Sequence, residues 1–512
     1  MSGENHLLAA LQSGHAQRMN ETFIHGQAGQ DITYGQFWIN AARMATSLVA
    51  LGVSPGDRVA IQATKHVAML ELYGAAIISG AILLPLNTSY TNAEISYFLN
   101  DARPKIFVCD AQSEASLVDV AYDCGVETVL VLTGSGENSL EWLRDAHTAG
   151  LTPVPRGGED IAAILYTSGT TGRAKGAMLS HRALASNAAA LVALWQFSND
   201  DRLIHALPIF HTHGLFVAIN VAMMAGASLD FLAGFDAEAI IGLMPKASVL
   251  MGVPTFYTRM LNDPALPDAA RAMRLFVSGS APLLAETHRQ WEMQTGHRIL
   301  ERYGMTETNM NTSNPYDQER RPGTVGFALP GVEVRIVDSE TGVEVPDGEV
   351  GGIEVRGANL FSGYWENPEK TAADMCADGF FKTGDLARRD DEGYIHIVGR
   401  AKDLIISGGL NIYPTELELI IDAFPGVEES AVFGITHPDF GESVVAAIVP
   451  DKGATVEPAA LREFLAGQLA RFKQPREIVI VDALPRNSMG KVQKNVLAAS
   501  FGDPIEVNPH HS

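Results

Sequence analysis

Over the first three hundred residues, short apolar runs alternate with stretches of helical periodicity. Residues 58–62, 105–109, 127–132, 161–165, 202–207, 247–251 and 273–277 read as strands. The apolar residues 67–83 read as a helix. Such alternation predicts parallel sheets covered by helices. The pattern changes over 324–398, where Gly, Asp and Glu turns separate short alternating runs at 332–337, 352–356 and 394–398. These predict a smaller antiparallel β subdomain. It changes again after Gly399-Arg400-Ala401-Lys402-Asp403. A helix from about Thr415, strands near 430–436 and 443–449 and a helix near 457–470 predict a compact α+β unit. The expectation is an α/β protein. A large N-terminal domain, 1–400, would hold two parallel helix-covered sheets and the β subdomain. A small mobile C-terminal domain, 403–512, would follow an exposed hinge near Lys402.

Composition narrows the partners. A chain of 512 residues exceeds one simple core, and its 46% hydrophobic and 19% charged residues are ordinary for a globular protein. The formal charge of −23 argues against nucleic acid or an anionic membrane as partner. Any anionic substrate must then be drawn in by a local basic cluster. Cys109, Cys124 and Cys376 have neither metal-ligand spacing nor the numbers for a disulfide framework, which suits a reducing compartment. The first residues show no basic region before an apolar run, so a cytoplasmic location is expected. The most apolar stretches, 68–84 and 215–229, are short for a bilayer span and are interrupted by Glu71 and Asn220. They predict core helices, with no membrane span.

The densest chemistry lies at 166–181, after a strand and before a helix predicted to begin near Ser180. Glycines let the backbone approach a ligand and aim N–H groups at it. Gly169, Gly172 and Gly176 are interleaved with the hydroxyls of Thr167, Ser168, Thr170 and Thr171, and Lys175 adds positive charge. This describes a loop that holds a polyphosphate, without the Walker pattern around its lysine. Further strings follow along the chain: Phe210-His211-Thr212-His213-Gly214, Ser278-Gly279-Ser280-Ala281, Tyr303-Gly304-Met305-Thr306-Glu307, Thr383-Gly384-Asp385, Gly399-Arg400, Gly408-Gly409, and Pro485 to Lys491.

Together, over nearly the whole chain, these strings resemble the acyl-adenylate-forming superfamily of acyl-CoA synthetases, adenylation domains and luciferases. The resemblance implies a two-step ligase using ATP, Mg²⁺ and coenzyme A. Thr167, Ser168, Gly169, Thr170, Thr171, Gly172 and Lys175 would hold phosphates. Ser280, Ala281, Tyr303, Gly304 and Thr306 would line the nucleotide site. Asp385 would accept the ribose hydroxyls, and Arg400 would support the sugar or the phosphate edge. Glu307 would hold Mg²⁺, a hard cation suited to oxygen ligands. Lys491 would bridge the acyl carboxylate and the α-phosphate as a point charge. His211 would gate the path between thiol channel and acyl pocket. Lys402 would be the hinge, and Gly408 and Gly409 would lie beside the CoA arm. Taken singly, each has a plainer reading. Lys491 is then a surface lysine near Lys494, Glu307 a helix-capping acid, His211 a structural ring, and Asp385 and Arg400 exposed turn charges.

The acid is less legible. Pro254 and Thr255 predict a helix start with Thr255 as cap, and Arg259 lies one turn on, on the same face. A guanidinium there would pair with a second carboxylate, or it points to solvent or pairs with Asp263. The stretch 301–312 and the string Val253-Pro-Thr-Phe-Tyr-Thr-Arg resemble malonyl-CoA synthetases, which implies malonate and also methylmalonate as substrates. Ser278, Met305 and Met310 would then line the acyl pocket, or the methionines are core residues. A medium- or long-chain acyl-CoA synthetase, an amino-acid adenylation domain and a nucleotide-binding relic are the alternatives. The run 211–219 lacks the acid that an amino group would need. A monomer or small homo-oligomer is expected. An exposed essential Lys491 would also suit a lysine acyltransferase or deacylase as regulatory partner.

Overall fold

The computed structural model describes residues 4–26, 31–134, 136–167, 174–407, 410–437, 440–486 and 491–501. Ser168, Gly169, Thr170, Thr171, Gly172, Gly408 and Gly409 therefore lie outside the described residues. The chain divides into two compact units, Met1–Val334 with Val355–Lys382, and Arg335–Glu354 with Thr383–Ser512.

The first unit is built on two sheets. One has six strands in the order Thr128–Leu132, Ile106–Asp110, Arg58–Gln62, Ile82–Pro85, Ile161–Thr167 and Lys175–Ser180. All neighbours are parallel except the last pair. The other has nine strands, with a parallel centre formed by Leu300–Met305, Leu275–Ser278, Val249–Gly252, Arg202–His205, Ser228–Phe231 and Thr22–His25. Antiparallel strands close both edges. Central strands such as Leu275–Ser278 are buried along their full length, as covered parallel sheets require.

The helix expected over 67–83 stops earlier, as Val67–Ser79. Gly80 takes the left-handed conformation (φ 72°) and ends it, and Ile82–Pro85 continues as a buried strand. An unbroken apolar run cannot by itself distinguish the two. Likewise 215–229 is not one helix. A π-helical turn, His213–Ile219, leads into Asn220–Ala225, and Gly226 ends it before the strand Ser228–Phe231. The phosphate loop does not run straight into a helix. It joins two antiparallel strands, and Ser180 caps the helix His181–Leu194 only after the second.

In the region expected as a β subdomain, Phe327–Ala328 joins the nine-stranded sheet. Val332–Val337, Gly351–Gly357, Phe381–Arg389 and Ile395–Arg400 form a four-stranded one. The helix Pro368–Asp374 lies between them in sequence. The second unit holds a five-stranded sheet around the long hairpin of Val427–His437 and Gly441–Pro450. Helices Pro414–Ile421 and Pro458–Ala466 pack on it through Leu417, Ile421, Leu461 and Leu465. No helix among the described residues is long and apolar enough to cross a membrane.

Candidate active site

In the first unit, Thr167 and Lys175 stand opposite each other as the last strand pair before the phosphate loop. The Thr167 hydroxyl reaches the Lys175 carbonyl at 3.5 Å. Gly176 is obligatory, since a Cβ there would come within 2.8 Å of Ile164. The Lys175 amine lies 5.3 Å from the centre of the Tyr364 ring. The Tyr364 hydroxyl donates to Glu307 Oε1 at 3.1 Å. Burial and the Glu307 carboxylate push the phenol pKa upward, which keeps it a donor.

Glu307 is buried in the turn between the antiparallel strands Leu300–Met305 and Asn309–Ser313, so it does not cap a helix. Asn309 closes the turn with φ 50°. No cluster of three or more metal-binding side chains occurs among the described residues. A single buried carboxylate suits Mg²⁺, which takes one or two protein ligands and completes its shell with water and substrate phosphates. Thr306, Tyr303 and Gly304 are half-buried on the same hairpin. A Cβ at Gly304 would fall 2.0 Å from the Asn309 carbonyl oxygen.

A second cluster forms at the turn 278–280. Ser278 is fully buried, while Ser280 and Ala281 are exposed, Ser280 in the left-handed region (φ 71°). The Ser280 hydroxyl meets His213 Nδ1 at 3.2 Å. Arg302 is 3% exposed and lies flat on Gly279, where a Cβ would come within 2.4 Å of its Cζ and Nη1. Arg302 Nε and Nη2, His213 Nε2 and Ser278 Oγ are buried and find no hydrogen-bond partner among the described residues. Burial pulls Arg302 down to about 9, and it pulls His213 well below the ordinary histidine range, helped by the Arg302 charge. Buried donors left unmet in one place mark a site shaped for a polar ligand.

Arg302 was missed in the sequence. Its signal was there: Glu301 and Arg302 lie in a strand of a sheet covered on both faces, so both charges are buried, one per face. The expected acyl residues are placed differently. Val253, not Thr255, is the N-cap of the helix Pro254–Met260, and no side chain caps it. Pro254 fills the first position, which leaves Thr255 inside the helix and exposed. Arg259 is exposed, its guanidinium 5.6 Å from the Phe235 ring centre. It forms no ion pair with Asp263 or another acid among the described residues. Met310 is core, and Met305 is half-buried against the core. His211 is half-buried with its ring edge-on to Phe210 at 4.5 Å.

In the second unit, Asp385 and Arg400 are register partners in the four-stranded sheet, with Arg400 Nε 3.3 Å from Asp385 Oδ1. Gly384 (φ 74°) lies within the strand Phe381–Arg389 just before Asp385, whose N–H donates to the Thr383 hydroxyl at 3.1 Å. Lys402 sits in a short 3₁₀ turn beside Asp403 at 3.8 Å, and burial lowers its pKa. Lys491 is exposed, next to the bridge between Arg486 and Val492 that closes its loop. The Gln493 N–H donates to the Pro485 carbonyl at 2.8 Å and closes the same loop.

Residues 11–365 match the model of the AMP-binding enzyme family, and residues 416–491 match that of the AMP-binding enzyme C-terminal domain. The chain belongs to the AMP-binding enzyme family. The ATP-bound crystal structure of MatB from Rhodopseudomonas palustris superposes with a TM-score of 0.94 and 54% identity, covering 98% of this chain and 99% of that one. The mitochondrial malonate–CoA ligase ACSF3 of Mus musculus is 34% identical, over 91% of this chain and 86% of its own length. The indoleacetate–CoA ligase of Aromatoleum aromaticum is also 34% identical, over 91% and 92%. This AMP-binding enzyme is thus an AMP-forming acyl-CoA ligase that uses ATP, Mg²⁺ and CoA. Equal identity to ligases of unlike acids leaves the acid to the site itself.

Proposed function

We propose that the chain activates malonate, and methylmalonate as well. Malonate and ATP give malonyl-AMP and pyrophosphate, and CoA then displaces AMP to give malonyl-CoA. Arg302 carries this reading. A buried guanidinium without a counter-charge costs several kcal/mol, and a ligand that brings one recovers much of it. Malonate reacts through one carboxylate and has a second to offer, which the planar fork of an arginine can grip at two points. A fatty or aryl acid would bury an apolar group against an unpaired charge. The malonate–CoA ligase relative supports the same acid.

Within this reading Lys175 and the loop before it hold the β- and γ-phosphates, and Glu307 holds the metal. Asp385 holds the ribose. Lys491 aligns the attacking carboxylate with the α-phosphate, and its loss would raise the adenylation barrier by about 3–4 kcal/mol. Lys402 is the hinge between the two half-reactions. Mg²⁺ supplies charge neutralisation on the phosphates.

The test is thioester formation across short mono- and dicarboxylic acids, with wild type and Arg302→Met. Wild type should favour malonate over acetate and octanoate. Arg302→Met should raise the KM for malonate by about a hundredfold and change acetate little. Octanoate outpacing malonate would remove the malonate reading. A larger malonate effect from Arg259→Ala than from Arg302→Met would move the second carboxylate to Arg259.

A further inference from the structure

Lys65 belongs to none of the motifs, yet its surroundings are unusual. It follows the strand Arg58–Gln62 and precedes the helix Val67–Ser79. Its stem is half-open, but its amine is enclosed. Nζ lies 2.7 Å from His205 Nδ1, 2.7 Å from the His205 carbonyl oxygen, and 4.3 Å from the centre of the Phe231 ring. No carboxylate among the described residues pairs with this amine, and burial pulls the Lys65 pKa well below the ordinary lysine range. A lysine normally avoids such a place.

His205 explains what the amine does there. The ring is buried at the end of the strand Arg202–His205, and its Nε2 lies 2.9 Å from the Gly214 carbonyl oxygen. A carbonyl can only accept, so Nε2 must carry the proton. A neutral imidazole then has a bare Nδ1, and that nitrogen accepts from Lys65. Burial and the Lys65 amine both hold His205 below its usual range, so it stays neutral. Gly214 in turn lies in the turn that carries His211 and His213. A Cβ at Gly214 would fall 1.9 Å from the Pro208 oxygen, so this backbone has one seat. Beyond it, His213 Nδ1 meets Ser280, at the turn on which Arg302 lies.

We propose that Lys65 is a positioning residue for acid recognition. By donating to His205 it selects the tautomer that tethers Gly214, and so it fixes His213 at the Ser278–Ser280 turn. The inference rests on the assignment of that turn to the acid pocket. It concerns ground-state placement of the acid, not the nucleotide.

Lys65→Met keeps an unbranched chain only one atom shorter and removes the donor. It should raise the malonate KM by about tenfold and leave the ATP KM within about twofold. His205→Ala should do the same. The double variant should be no worse than either, because both break one chain of contacts. Nitrogen-15 spectra of histidine-labelled protein give a readout free of substrate. Wild type should show a ring with a protonated Nε2 and bare Nδ1 that vanishes in His205→Ala and becomes a tautomer mixture in Lys65→Met. Lys65→Leu, which also lacks a donor, serves in place of the methionine variant if the latter fails to melt cooperatively. An unchanged malonate KM, multiplying effects in the double variant, or an unchanged His205 tautomer would each overturn the proposal. If wild type prefers another acid, the KM comparison is made with that acid. The spectra need none, so failure of the relay and failure of the malonate reading are told apart.

Discussion

At the scale of single residues, Glu307, the carboxylate proposed to hold Mg²⁺, is oriented by a neighbour that no motif names. Tyr364 donates to Glu307 and lies beneath Lys175, so one side chain neighbours both the proposed metal ligand and the proposed phosphate cation. Partners behind a metal ligand commonly set affinity by one order of magnitude or more. Tyr364→Phe should therefore raise the Mg²⁺ concentration for half-maximal activity by about tenfold, with the malonate KM unchanged. A magnesium titration at saturating ATP and acid checks this. Glu307, Lys175 and Asp385 were singled out in the sequence because each sits in a string whose neighbours constrain it. Tyr364, Arg302 and Lys65 were not, because their meaning depends on depth and on partners far along the chain. A charge in a strand looks solvent-facing until the covering layers are known. Arg259, singled out by helical spacing, stands on the open side of its helix. Spacing shows which residues share a face, but not where the face points.

At the scale of elements, strand–helix alternation conveyed the two parallel sheets, and the misreadings were local. Gly80 and Gly226, each left-handed, end helices inside apolar runs that continue as strands. The strand Asn309–Ser313 is wholly buried although it reads Asn-Met-Asn-Thr-Ser. Hydropathy could not place it, because its burial serves the turn that holds Glu307. The helix Pro414–Ile421 carries a different burden. Asp422 caps its C-terminus, where a negative charge opposes the helix dipole, and burial raises its pKa to about 7. A carboxyl raised in the folded state contributes stability that is complete below about pH 4 and is lost as pH rises through its folded value. Asp422→Asn should leave stability unchanged at about pH 4 and raise it by about 2–4 kcal/mol at pH 8. Thermal unfolding of both proteins across that range is the measurement.

At the scale of the whole molecule, a chain of formal charge −23 must admit an acid and a nucleotide that are also negative. The overall field repels them, whereas on the proposed reading the buried Arg302 attracts from within and is shielded from salt. Raising ionic strength from about 10 to 100 mM should thus increase kcat/KM for malonate, because the Debye length shrinks to about 10 Å and the outer repulsion fades first. Steady-state rates at fixed free Mg²⁺ would show this, and a fall would mean that exposed cations steer the acid. The unmet donors around Gly279 have a further, evolutionary consequence. If Arg302 holds a second carboxylate as proposed, a descendant drifting toward a monocarboxylic acid cannot simply widen its walls, because every such acid would leave the guanidinium stranded. The arginine must be lost first, at a stage when the old substrate is no longer held and the new one is not yet fitted. That ordering places a fitness valley between dicarboxylate and monocarboxylate ligases on this scaffold.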